Sequence, residues 1–127
     1  MINVTKTFLP NKQKYMKYVD DIYTSGWVTN YGPLVKELEC RLSEYLGVKN
    51  LVLVANGTVA LEVAYRLLQL SGSVITTPFS FVATTSSLVI NNLNPIFCDI
   101  EEKTLNISDQ LIEKKIRKDT TAILPVH

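Results

Sequence analysis

The chain has 127 residues, 46% of them hydrophobic and 20% charged, enough for one compact core and inconsistent with intrinsic disorder. Lys and Arg number 13 against 12 Asp and Glu, and this balance excludes a nucleic-acid or anionic-membrane partner held mainly by charge. Cys40 and Cys98 are too few for a disulfide framework, and no apolar run reaches the roughly 18 residues of a membrane span. The opening MINVTKTFLPNKQK lacks the apolar stretch of a signal peptide. The expectation is a soluble protein in the reducing cytoplasm. Asn-x-Ser/Thr triplets at Asn3, Asn56 and Asn106 then read as chance rather than as glycan acceptors.

Residues 1–47 are expected to form a helical segment. Tyr15, Val19 and Ile22 recur at helical spacing among Lys and Asp. A second helix opens at Gly32-Pro33, where proline's missing N–H costs nothing, and runs with Val35, Leu38, Leu42 and Tyr45 on one face. Gly47 suits the left-handed residue beyond its end. Between the two helices lies Ser25–Gly32, which holds the chain's single Trp.

Residues 48–127 alternate strand and helix. The apolar run Leu51–Val54 reads as a strand buried on both faces. Thr58–Leu70 reads as a helix with Val59, Ala60, Val63, Ala64 and Leu67 inward. Val74–Thr77 is a second strand, closed by Pro78. Phe81–Asn91 is a helix with Ser80 as candidate cap. Ile96–Ile100 is a third strand. Ser108 caps a helix to about Arg117, with Asp109 at its positive end, and Ala122–Val126 is a fourth strand. The fold class predicted is α/β, a mostly parallel sheet with right-handed crossovers and helices on both faces. A parallel strand needs a crossover helix to cover it, and none follows Val126. The expectation is the N-terminal part of a longer, here incomplete, domain.

Two strand-to-helix turns carry candidate chemistry. In Val54-Ala55-Asn56-Gly57-Thr58-Val59-Ala60, the first N–H groups of a helix have no internal partner and sit at the positive end of its dipole. Gly57 admits a ligand close to the backbone and Thr58 adds a hydroxyl, together a phosphate cradle. An ordinary turn capped by Thr58 is the alternative. Neither GxxxxGK[ST] nor GxGxxG is present. In Thr76-Thr77-Pro78-Phe79-Ser80-Phe81, an aromatic at a strand end either stacks on a planar ring or is core. His127 is the single histidine, so no His-based metal cluster and no Ser-His-Asp set is available. Cys40 and Cys98 read as small core residues, and Asp99, Glu101 and Glu102 as a solvated acidic loop rather than a metal site.

The motifs SGWVTNYGPLVKELE, LGVKNLVLVANGTVAL, GSVITTPFSFVATTSS, NPIFCDIEEKTLNIS and TTAILPVH, in that order, closely resemble the N-terminal portion of the DegT and StrS family of sugar-nucleotide aminotransferases. Within it, the wording is most like members that aminate a dTDP-4-keto-6-deoxyhexose. Gly72-Ser73 stands where many relatives have Gly-Asp-Glu. The resemblance implies the large domain of a fold-type I enzyme using pyridoxal 5'-phosphate, acting as a homodimer. It implies that Gly57, Thr58 and the N–H of Val59 receive the cofactor phosphate and that Phe81 stacks on the ring. It further implies that Trp27, Thr29, Asn30 and Tyr31 contact the sugar nucleotide, often that of the neighbouring subunit. The implied reaction moves an amino group from an amino acid, glutamate, to a keto-sugar nucleotide such as dTDP-4-keto-6-deoxyglucose, for O-antigen, lipopolysaccharide or capsule synthesis. Family chemistry needs a Schiff-base lysine and an aspartate against the pyridine nitrogen, both downstream of the ILPVH motif. No lysine here matches, so no catalytic residue is assigned and the chain alone is expected to be inactive. Two other readings stay open: a truncated, non-catalytic partner that binds phosphate-bearing ligands weakly, and a generic nucleotide-binding α/β module.

Overall fold

The computed structural model describes Ile2 and residues 4–126. Asn3 and His127, both singled out above, lie outside the described residues. The chain divides into two compact units between Leu53 and Val54.

The first unit holds helices α1 (Lys12–Ser25) and α2 (Pro33–Leu46). Asn11 caps α1 by accepting the Lys14 N–H at 3.1 Å, and Gly26 closes it with φ 64°. Pro33 takes the first turn of α2 and Gly47 follows it at φ 65°, as the sequence predicts. No residue of either helix is buried. Cys40 is exposed rather than core.

The second unit holds α3 (Gly57–Leu67), β1 (Ser73–Thr76), α4 (Val82–Ile90), β2 (Asn94–Phe97), α5 (Asp109–Lys115) and β3 (Thr120–Ile123). The strands form a parallel sheet in the order β2-β1-β3. Crossover β1-α4-β2 steps one way along the sheet and β2-α5-β3 steps back past β1. Right-handed connections that reverse direction must put their helices on opposite faces, and the core divides accordingly. Tyr65, Val74, Leu88 and Leu93 pack with Leu61 on the α3 and α4 side. Ile75, Ile96 and Cys98 pack with Leu111 and Ile112 of α5 on the other. Val74 and Ile75 are adjacent in β1 and point to opposite faces, and all four residues of β1 are buried, as a strand covered on both sides requires. Burial raises the Cys98 thiol pKa, reinforced by Asp99 and opposed by Lys115.

Several expectations are corrected. Three strands form among the described residues, not four. Leu51–Val54 has no ladder partner, and the Leu53 N–H goes instead to the Glu39 carboxylate at 3.0 Å. On α3, Val59, Val63 and Leu67 are exposed, while Tyr65 is 5% exposed. Apolar residues lie all round this helix, so periodicity could not choose a face. Packing on α4 chooses Tyr65, because the Ser87 hydroxyl lies 3.2 Å from its phenol oxygen and satisfies it. The helix stops at Leu67 because Gln69 turns left-handed at φ 49°, with Leu70 N–H returning to the Tyr65 carbonyl. Ser80 does not cap α4; its hydroxyl pairs with that of Thr84 at 2.7 Å. Ser108 stands at the N-cap of α5 without a side-chain bond, and the helix ends at Lys115. Neither Phe79 nor Phe81 is core, for both are exposed.

Tyr65→Phe should cost the second unit about 1 kcal/mol, because the buried Ser87 loses a partner but still donates to the Thr84 carbonyl at 3.2 Å. A chemical denaturation curve indistinguishable from wild type would contradict this account of the α3–α4 contact.

Candidate functional site

The phosphate-cradle turn forms with Asn56 as N-cap in extended conformation and Gly57 as the first residue of α3. The Asn56 Oδ1 accepts the Val59 N–H at 3.0 Å, and its carbonyl accepts the Ala60 N–H at 3.1 Å. The cap is Asn56 rather than Thr58, and asparagine three residues before a helical N–H is the signal for it. Of the three residues expected to receive a phosphate, Val59 has its N–H held by this cap. The N–H groups of Gly57 and Thr58 have no acceptor among the described residues. No atom would lie within 4 Å of a Cβ placed on Gly57, so an anion has open approach to both donors.

Helices α3 and α4 run side by side in the same direction. Tyr65 meets Ser87, and the Arg66 Nε–H donates to Asn91 Oδ1 at 3.2 Å, which places their last turns together. Their first turns therefore share an end, the one at which β1 delivers its carboxyl terminus to α4. Phe81, the N-cap residue of α4, is 78% exposed there. The second unit thus brings an anion-accepting helix start and an unpacked aromatic ring to the same edge of the sheet, the edge where open α/β sheets bind ligands. Exposed Phe81 costs apolar hydration with no packing in return, so a flat apolar ligand surface would be favourable there. Free N–H donors suit a phosphate and an exposed aromatic suits a flat ring, the two chemical groups that a pyridoxal phosphate carries. None of the lysines lies in either turn. Among the described residues, no group of His, Cys, Asp and Glu is arranged to hold a metal ion.

In the first unit, Trp27, Thr29, Asn30 and Tyr31 all line one groove of about 540 Å³ between the helix ends. Asp21 and Glu37 line it as well, two acidic residues that sequence reading did not single out because nothing local distinguishes them from surface charges. The Trp27 indole N–H donates to the Thr29 carbonyl, and its ring covers Gly32, where an added Cβ would meet Cδ1 at 3.4 Å. Asn30 and Tyr31 both adopt left-handed backbone, φ 45° and 50°. The Lys36 Nζ stands 5.1 Å from the Tyr31 ring centroid, a cation–π contact. Hydrogen bonding to Glu39, and then its charge, raise the Tyr31 phenol pKa.

No helix among the described residues is long and apolar enough to cross a membrane. Comparison with known proteins gives a consistent answer. The chain is 46% identical over 126 residues to the dTDP-4-amino-4,6-dideoxy-D-glucose transaminase of Escherichia coli, covering 99% of this chain and 34% of that protein. It superposes on DesI, solved in the presence of its TDP-sugar product, with a TM-score of 0.86 and 31% identity over 92% of this chain and 30% of that one. NtdA of Bacillus subtilis, with its cofactor PMP bound, gives a TM-score of 0.86 at 30% identity over 91% of this chain and 27% of its own. The chain thus spans about a third of the length of these relatives. The sequence profile of the DegT/DnrJ/EryC1/StrS aminotransferase family matches residues 10–127. These 118 matched positions cover both units, and the chain belongs to the DegT/DnrJ/EryC1/StrS aminotransferase family.

Proposed function

We propose that the chain is the N-terminal part of a pyridoxal-phosphate-dependent aminotransferase that moves an amino group from glutamate to a keto-sugar nucleotide such as dTDP-4-keto-6-deoxyglucose. The observation that carries this reading is the pairing of two unpartnered N–H groups, those of Gly57 and Thr58, with the exposed Phe81 ring at one edge of the sheet. The N–H groups and the Thr58 hydroxyl hold the phosphate dianion at the positive end of α3. Asn56 keeps that helix start in place through Val59. Phe81 would supply the flat apolar surface for the ring. When bound, the cofactor supplies the electron sink for amino-group transfer. The groove lined by Trp27, Thr29, Asn30 and Tyr31 takes the sugar nucleotide, and the similarity to a dTDP-amino-sugar transaminase favours a dTDP-linked sugar. The reaction belongs to the parent enzyme, which we read as a cytoplasmic homodimer serving O-antigen, lipopolysaccharide or capsule synthesis. This chain contributes cradle, stacking ring and groove.

Titration with pyridoxamine 5'-phosphate tests the reading, since that form has no aldehyde to label surface lysines. The wild-type chain should bind it in competition with inorganic phosphate. Phe81→Ala should weaken binding roughly fivefold without lowering the melting temperature, because the ring packs on nothing in the free protein. A folded wild-type chain that fails to bind would remove the proposal.

A further inference from the structure

Trp27 is the single tryptophan of the chain and lines the groove, yet its one polar group is already engaged within the loop. The indole N–H donates to the Thr29 carbonyl. Indole nitrogen has no second hydrogen to give, so Trp27 can offer a ligand apolar surface only. The same ring lies against Gly32, where an added Cβ would stand 3.4 Å from Cδ1, 3.6 Å from Nε1 and 3.8 Å from Cγ. The indole therefore touches the residues immediately before and immediately after Asn30-Tyr31. Those two form a consecutive pair of left-handed, non-glycine residues, a backbone that persists only where its surroundings hold it. Burial does not hold it, since Tyr31 is 60% exposed. The Lys36 ammonium restrains the Tyr31 ring and leaves the backbone on either side to the indole. Both ends of this contact are anchored. The Trp27 N–H donates to the Ser25 hydroxyl at 3.3 Å, which donates in turn to the Ile22 carbonyl of α1 at 3.2 Å. Gly32 is the N-cap of α2, and its carbonyl accepts the Lys36 N–H at 3.2 Å. One ring thus joins the end of α1 to the start of α2 across the strained pair.

We propose that Trp27 is a positioning residue: its indole clamps Thr29 to Gly32 and so holds Asn30 and Tyr31 in the conformation that shapes the sugar-nucleotide groove. The consequence for binding rests on the groove's assignment under Proposed function; the clamp does not. Three readouts on the 127-residue chain test it: exchange of the lone indole N–H by NMR, backbone order at Asn30 and Tyr31, and affinity for dTDP. The indole N–H should exchange roughly tenfold more slowly than that of free tryptophan and stay protected when dTDP binds. Order parameters at Asn30 and Tyr31 should stand near about 0.85 in the wild type and fall below about 0.6 in Trp27→Ala, with no ligand present. A Trp27 that served only as a ligand contact would not move them. The dTDP dissociation constant should rise roughly fivefold, because the loop must then be ordered on binding. Gly32→Val keeps the indole but puts methyl groups where its ring lies, so it should loosen the same two residues and weaken dTDP alike. Indole exchange at the rate of free tryptophan, loss of its protection on dTDP binding, or wild-type order at Asn30 and Tyr31 in a folded variant overturns the clamp. Loosened residues with wild-type dTDP affinity overturn the positioning role. A wild-type chain that binds no dTDP refutes the groove's assignment instead, and indole exchange and backbone order still decide the clamp.

Discussion

Replacing Gly72 by alanine should destabilise the second unit by roughly 3 kcal/mol, from left-handed strain plus overpacking. Gly72 sits at φ 78°, and a Cβ there would run into the Asp119 carbonyl oxygen. Neither partner can give way cheaply. The Asp119 carbonyl accepts the Ser73 N–H at 2.8 Å, and the Gly72 carbonyl accepts the Asn94 N–H at 2.9 Å. This single turn therefore enters all three strands at once, just where the β1–β3 register shifts between Ser73 and Val74. Urea denaturation followed by circular dichroism measures the loss, and a midpoint within error of wild type would refute the assignment.

Gly57→Asp should do the opposite to stability and far more to binding. A carboxylate in the first turn of α3 complements the helix dipole, and the open space around Gly57 accepts the side chain without a clash. The melting temperature should stay level or rise slightly. The same carboxylate would face a phosphate held by the Gly57 and Thr58 N–H groups, and like-charge repulsion at such range should weaken pyridoxamine 5'-phosphate at least tenfold. Undiminished affinity in a folded Gly57→Asp protein would place the phosphate elsewhere. The divergence of the two readouts separates an anion cradle from an ordinary capped helix.

Much of the architecture is written locally. Pro33 and Gly47 bracket α2 because each residue's backbone preference is strong and independent of packing. The strand-helix alternation after Val54 predicts parallel pairing on length grounds alone, since a crossover connection leaves no other geometry. The turns at Asn56-Gly57 and Phe81 are legible as helix starts, and the family resemblance marks them for a phosphate and a ring.

What was not legible depends on partners distant in sequence. Leu51–Val54 has strand composition, but a strand exists only where another backbone accepts and donates alongside it, and Glu39 takes the Leu53 N–H instead. Tyr65 rather than Val63 is buried because a hydroxyl 22 residues away in sequence, on Ser87, satisfies it. The Val59 N–H, a donor by position, is held by its own cap.

The sequence alone determined the family, the α/β class and the identity of the turns, because these follow from residue preferences and motif order along the chain. The tertiary structure alone decided which helix faces are buried, that α3 and α4 start at one end, and that Glu39 takes the Leu53 N–H. Those facts are set by burial and hydrogen-bond satisfaction among groups far apart in the chain, which no local pattern encodes.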